Sequence, residues 1–241
     1  MTLLALAIAP GIAICLFIYF KDKYNKEPII WLIISFILGM LAIVPSIIAE
    51  ATLTTQVEKY FGNGIRGLAI LSFFVIALSE ELSKFVMLRY GAFNRKFFDD
   101  PFDGIVYSVV ISMGFATLEN IGYVLENGFA TGLLRMFLSV PAHATFGVLM
   151  GYYVGLARFN PDKKKYYLIL GLFWAVVFHG SFDFFLLTGK TWMHFGGALV
   201  SFMVAVKLSR RAIRKKQAYS KSHFEKLAGL KKRNDSLFNN N

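Results

Sequence analysis

The chain has 241 residues, 56% of them hydrophobic and only 17% charged, with 25 phenylalanines and a formal charge of +11. Its hydrophobic residues fall in long uncharged blocks parted by short charged loops, which excludes disorder, collagen and disulfide-stapled secreted scaffolds and reads as an all-α polytopic membrane protein. The single cysteine, Cys15, lies inside an apolar block, so no intramolecular disulfide and no cysteine-based metal site is available.

Blocks of about 20 residues suit a hydrocarbon layer about 30 Å thick. Taken in chain order they run Leu3–Phe20, Ile29–Ala49, Gly67–Leu88, Gly104–Leu125, Met136–Ala157, Tyr166–Thr188 and a shorter Thr191–Val206, seven spans in all. The first block has no basic residue ahead of it, and Phe17, Tyr19, Phe20, Lys21 and Lys23 close it, so it reads as a retained span rather than a signal peptide. Cytoplasmic loops carry the excess of Lys and Arg. Of the 26 such residues, 21 follow spans one, three, five and seven. The expected orientation is therefore N-terminus out and C-terminus in. Residues 1–206 form the membrane domain and residues 207–241 a basic cytoplasmic tail. Eleven of the 26 lie in that tail, a juxtamembrane position that points to anionic lipid and not to nucleic acid. No internal repeat, GxGxxG, P-loop or Cys-His finger occurs, and nothing in the spans specifies an oligomeric state.

Charged groups at membrane depth cost at least about 2.5 kcal/mol, so each needs a partner or a task. Span three carries Ser79-Glu80-Glu81-Leu82-Ser83-Lys84. Glu80 and Lys84 share a face at i, i+4, whereas Glu81 points about 100° away, so Lys84 is not expected to neutralise both equally. Two adjacent carboxylates in a low dielectric suit a general base beside a protonated donor; an internal ion pair with one solvated Glu is the plainer alternative. Span four carries Phe115, Glu119 and Asn120. Span five carries Pro141 and His143, where the proline is expected to open the backbone beside the imidazole. Span six carries His179 and Asp183 at i, i+4, a spacing at which the carboxylate can orient the imidazole. Measured from the loops at 1.5 Å per residue, Glu119, His143, His179 and Asp183 share a layer about 8 to 14 Å below the outer boundary. Glu80 falls at about 20 Å by the same ruler.

These groups supply the parts for hydrolysis: a base for water, donors for an oxyanion, and N/O ligands for a metal. Glu119, His143 and His179 would make a His₂Glu set for Zn²⁺ with an open fourth position. A metal-free version has Glu80 activating water and the histidines donating hydrogen bonds. Carboxylate and histidine chains also serve proton-coupled transport, although no repeat or pair of broken helices is present. A non-catalytic membrane scaffold would leave the buried charges without a use.

In order on successive spans, the EExxK of Glu80 to Lys84, the FxxxE of Phe115 to Glu119, the lone His143 and the HxxxD of His179 to Asp183 resemble the PrsW family of intramembrane proteases. Ala9 to Ala13, Lys26-Glu27-Pro28, Phe102 to Tyr107 and Ala157-Arg158-Phe159 resemble the family too. The likeness runs from about Pro10 to Asp183. It implies a protease of the bacterial cytoplasmic membrane acting on a membrane-anchored protein. In this family the implied role is the first, outer cut of an anti-sigma factor. It also implies Glu80 and Glu81 as the catalytic pair, with Glu119, His143, His179 and Asp183 binding the water, metal or oxyanion and Lys84, Phe115 and Asn120 supporting them.

Overall fold

Every apolar block of the sequence is helical in the computed structural model, which describes residues 2–189 and 192–238, and no strand occurs among the described residues. In hydrocarbon there is no water to satisfy backbone N–H and C=O groups, and a helix satisfies them internally. Helix α1 covers Thr2–Lys21, α2 Ile29–Leu41 and α3 Ile43–Phe61. Helix α4, Ile65–Ile70, continues through a π-helical stretch, Leu71–Ala77, into α5, Leu78–Gly91. Then come α6 at Asp103–Phe137, α7 at Ser139–Arg158, α8 at Lys164–Thr188 and α9 at Trp192–Phe238.

Among the described residues, four stretches are long and apolar enough to cross a membrane: Leu3–Lys21, Ile29–Phe61, Asp103–Arg158 and Pro161–Thr188. The third holds both α6 and α7. The expected span Gly67–Leu88 is not among the four; it bears Glu80, Glu81 and Lys84 and is divided by the π-helical stretch. The expected span Thr191–Val206 begins outside the described residues, as does Lys190, and its remainder is the start of α9. That helix runs without a break across the expected boundary at Val206, and the last three residues of the tail are outside the described residues. Ala198, Ala205 and Ala212, seven residues apart, form a buried seam of small side chains against the bundle. The basic half of α9 therefore starts on protein: Ser209 Oγ donates to the Thr145 carbonyl at 3.2 Å, Gln217 donates to the Lys21 carbonyl, and Lys216 and Ser220 are buried.

Helix α6 is the axis of the fold. Every residue from Asp103 to Thr117 is buried, as befits a helix apolar on all faces, and α1, α2, α5 and α7 pack around it. Lipid tails are as apolar as leucine, so helices in a membrane gain by close backbone approach at small residues. Gly39 of α2 and Gly114 of α6 provide it: a Cβ at either would collide with a carbonyl of the facing helix, that of Ile111 or Phe36. The helical run breaks at Gly128, whose φ of 77° lies in the left-handed region that glycine alone adopts freely. Beyond it the chain turns back, and Arg135 returns to the level of Glu119.

A polar cluster closes the far end of α6. Asp22, Glu27, Asp100 and Asp103 are all buried. The Tyr107 hydroxyl donates to Glu27, while Asp103 Oδ2 accepts the N–H groups of Asp99 and Asp100 at 2.8 and 2.7 Å. The Lys26-Glu27-Pro28 and Phe102–Tyr107 segments thus clamp the α1–α2 connector onto the α5–α6 connector.

Burial pushes the Asp22 and Glu27 carboxyls up to about 7, and for Asp22 the charge on Glu27 adds to the rise. The folded form therefore holds protons that the unfolded chain releases near 3.8 and 4.5. Stability is greatest on the acid side of that interval and declines as pH rises through about 7. The Tm of the detergent-solubilised protein should fall from about pH 5 to about pH 8, and Glu27→Gln should flatten part of the slope. An unchanged slope in that variant would refute the assignment.

Candidate active site

The π-helical stretch Leu71–Ala77 ends three residues before Glu80. Such widened turns recur at functional sites, and they hold more residues per turn than an α-helix, so a ruler of 1.5 Å per residue overstates the depth of Glu80. Glu80, Glu81, Ser83 and Lys84 are all buried on the first turns of α5. The Lys84 ammonium lies 3.0 Å from Glu80 Oε2 and 2.8 Å from Glu81 Oε1. This corrects the expectation of unequal neutralisation: i+4 and i+3 partners flank the same lysine, and its flexible stem places the charge between them.

Lys84 also donates to His143 Nδ1 at 3.2 Å, and its Nζ rests 4.0 Å from the centre of the Phe115 ring. An ammonium has no lone pair, so Nδ1 is the acceptor, and the ring proton sits on Nε2 facing Glu119 Oε2 at 3.0 Å. Glu119 Oε2 also meets Arg135 Nη2 at 2.7 Å. Arg135 Nε donates to Asn120 Oδ1 at 3.1 Å, and Asn120 Nδ2 donates to the Ala7 carbonyl of α1 at 3.0 Å. From α8, His179 Nδ1 meets Glu81 Oε1 at 2.8 Å and Nε2 meets Asp183 Oδ2 at 3.1 Å. The two imidazoles stand edge to face, 5.0 Å apart. The six candidate site residues and the three supporting ones therefore join one network drawn from α5, α6, α7 and α8.

Pro141 does not open a helix. It lies in the first turn of α7, where the missing N–H has no helical acceptor in any case, so His143 sits one turn inside a regular helix end. Two members were not visible as such in the sequence. Arg135 counted only as a loop charge, and it reaches Glu119 through the reversal at Gly128. Glu50 fell one residue past the expected end of span two, but α3 runs on to Phe61, and Ser79 Oγ donates to Glu50 Oε1 at 3.3 Å. A charge closing an apolar block was the available signal for Glu50; Arg135 had none.

A cavity of about 520 Å³ opens onto this network. Glu80, Glu119, His143, His179 and Asp183 line it, while Glu81 and Lys84 lie behind its wall. Of the adjacent carboxylates, Glu80 is the one that faces the cavity. Glu80, Glu81, His143 and His179 each offer a ligand atom within 4.8 Å of the others, all buried. Glu119, named in the expected ligand set, lies outside this group on the far side of His143. The donors fit a divalent ion in type and burial, and Lys84 Nζ stands among three of the four.

Arg135→Met would leave Glu119 short of its nearest cation in a largely buried setting. Loss of about 3 kcal/mol is expected in unfolding of the solubilised protein, with partial recovery in Arg135→Lys. Unchanged stability in the methionine variant would show the pair to be idle.

Among known proteins, residues 27–209 match the family described as the PrsW family intramembrane metalloprotease. The chain is 36% identical over 205 residues to Protease PrsW of Geobacillus kaustophilus, covering 85% of this chain and 87% of the relative. It is 37% identical over 207 residues to Protease PrsW of Bacillus subtilis, with 84% and 89% covered. To Protease PrsW of Clostridioides difficile it is 35% identical over 196 residues, with 79% and 81% covered. No solved structure matches the chain.

Proposed function

The chain belongs to the PrsW family of intramembrane metalloproteases, and on that premise we propose that it cuts a membrane-anchored regulatory protein, such as an anti-sigma factor, near its extracytoplasmic face with Glu80 as general base. The protein is a multi-pass membrane peptidase of bacterial type. Its proposed arrangement is seven spans in the cytoplasmic membrane, N-terminus out and C-terminus in. Residues 1–206 carry the protease, and the basic segment from Lys207 lies at the cytoplasmic face near anionic lipid.

The observation that carries the catalytic assignment is that Glu80, alone of the adjacent pair, lines the cavity that His143 and His179 also line. Water in that cavity gives a proton to Glu80 as its oxygen attacks the scissile carbonyl, and the same proton then passes to the leaving amide nitrogen as the C–N bond breaks. Asp183, 3.1 Å from His179 Nε2, orients that imidazole. Glu119 keeps His143 in one tautomer, and Arg135 keeps Glu119 in place. Glu81, His143 and His179 would hold the metal, proposed as Zn²⁺, leaving Glu80 for the water. Such an ion supplies Lewis-acid polarisation of the carbonyl.

In reconstituted nanodiscs with a single-span reporter, Glu80→Gln should lower the cleavage rate by about 10² to 10⁴. Parental cleavage by that variant, inserted and folded, would overturn the assignment. Mass determination of the fragments tests the side of the cut, since a product ending at the cytoplasmic end of the span contradicts the outer location.

A further inference from the structure

Two of the three donors that would hold a metal, and the proposed base beside them, already hold a cation. Lys84 Nζ lies 3.0 Å from Glu80 Oε2, 2.8 Å from Glu81 Oε1 and 3.2 Å from His143 Nδ1. Both Glu81 Oε1 and His143 Nδ1 offer their free electron pairs in that direction, because the other nitrogen of His143 is engaged with Glu119 and Glu81 Oε1 also meets His179 Nδ1 at 2.8 Å. A metal ion bonds such atoms at about 2.0 to 2.2 Å. An ion at that distance from these atoms would overlap the ammonium, and the two positive charges would repel in a low dielectric.

We propose that Lys84 is a built-in plug of the metal site: it occupies the position of the ion, and a divalent metal binds only when the lysine side chain swings out of the donor set. The plug balances the adjacent carboxylates when no ion is bound, which lets the bundle fold before it is loaded. It also sets the apparent affinity, since the competent form is only the fraction with Lys84 displaced. The Phe115 ring under the ammonium, 4.0 Å away, adds to the hold on the plugged form. Metal loading thereby becomes a step the protein resists, and the smaller the displaced fraction, the weaker the ion is held.

This inference rests on the proposed ligand set, so the test reads metal binding and not cleavage. Full-length protein in detergent is stripped with a chelator and titrated with Zn²⁺ against a metallochromic indicator, and with Co²⁺ followed by its d–d absorption. Lys84→Met and Lys84→Gln should bind one ion per chain at least about tenfold more tightly than the wild type. Lys84→Arg, whose guanidinium cannot lose its charge, should bind no more tightly than the wild type. Arg89→Met removes a charge further along α5, where the guanidinium rests on the Tyr90 and Phe93 rings and touches no donor, and should change affinity by no more than about threefold.

Equal affinity of the Lys84 variants and the wild type overturns the plug. So does equal tightening by Arg89→Met, which reduces the effect to general electrostatics. Adding His179→Ala to Lys84→Met should abolish the tight binding and the Co²⁺ band; their persistence refutes the ligand set and the plug with it. Should neither neutral variant fold, Lys84→Arg decides, because binding tighter than the wild type contradicts the proposal. Failure of Glu80 as base would instead appear as parental cleavage by Glu80→Gln, while the affinities of the Lys84 series stay as stated.

Discussion

Two carboxylates and an ammonium withdrawn from water on consecutive turns of α5 set the terms for the rest of the bundle. Removing ions from water costs several kcal/mol each, and their mutual attraction offsets this only when the geometry is good and the remaining lone pairs are met. Lys84 meets Glu80 and Glu81 together, His179 shares Glu81 Oε1 with it while Glu81 Oε2 stays without a hydrogen-bond partner among the described residues, and Asp183 completes His179. Each group imported to settle one charge brings another need, and the chain of needs runs from α5 through α8, α7 and α6 to Arg135. The EExxK segment is thus a local source of strain that four helices are arranged to answer.

Helix α6 makes that arrangement possible by carrying polar groups at either end of its buried run and mostly apolar ones between. Asp103 and Tyr107 anchor the connectors at one end, and Glu119 and Asn120 join the active-site network at the other. The two acidic positions are separated by about 24 Å at 1.5 Å per residue. The buried run between them packs backbone to backbone at Gly39 and Gly114, so the position of α2 is set relative to Glu119. Placing the titrating connector carboxylates at the far end keeps the pH response of stability apart from the chemistry of the cavity.

Division of labour within the Glu80–Glu81 pair follows from the same packing. A carboxylate that faces a cavity can exchange protons with water. One enclosed by Lys84 and His179 cannot, and serves best as an anchor. The widened turns ahead of Ser79 place the pair so that one carboxylate meets the cavity and its neighbour meets the interior.

Much of this was legible along the chain, because the signals are local. Uncharged blocks of membrane length fold as helices, and i, i+4 spacing pairs Glu80 with Lys84 and His179 with Asp183. Four consecutive blocks carrying misplaced charges announce a common site. Other features depend on where the chain turns. Nothing near Arg135 says that the left-handed bend at Gly128 returns it to Glu119, and Glu50 joins the site only because α3 runs past its apolar block. Pro141 looked like a break in mid-span because its helix end is set by the preceding reversal. Sequence by itself determined the helices, the membrane character and the inventory of reactive groups, since backbone satisfaction and hydrophobic burial act over neighbouring residues. Tertiary packing alone decided that Glu80 faces the cavity, that Glu119 answers to Arg135 and that Lys84 stands among side chains from separate helices that could hold a metal, because those relations depend on distances that no spacing along one helix encodes.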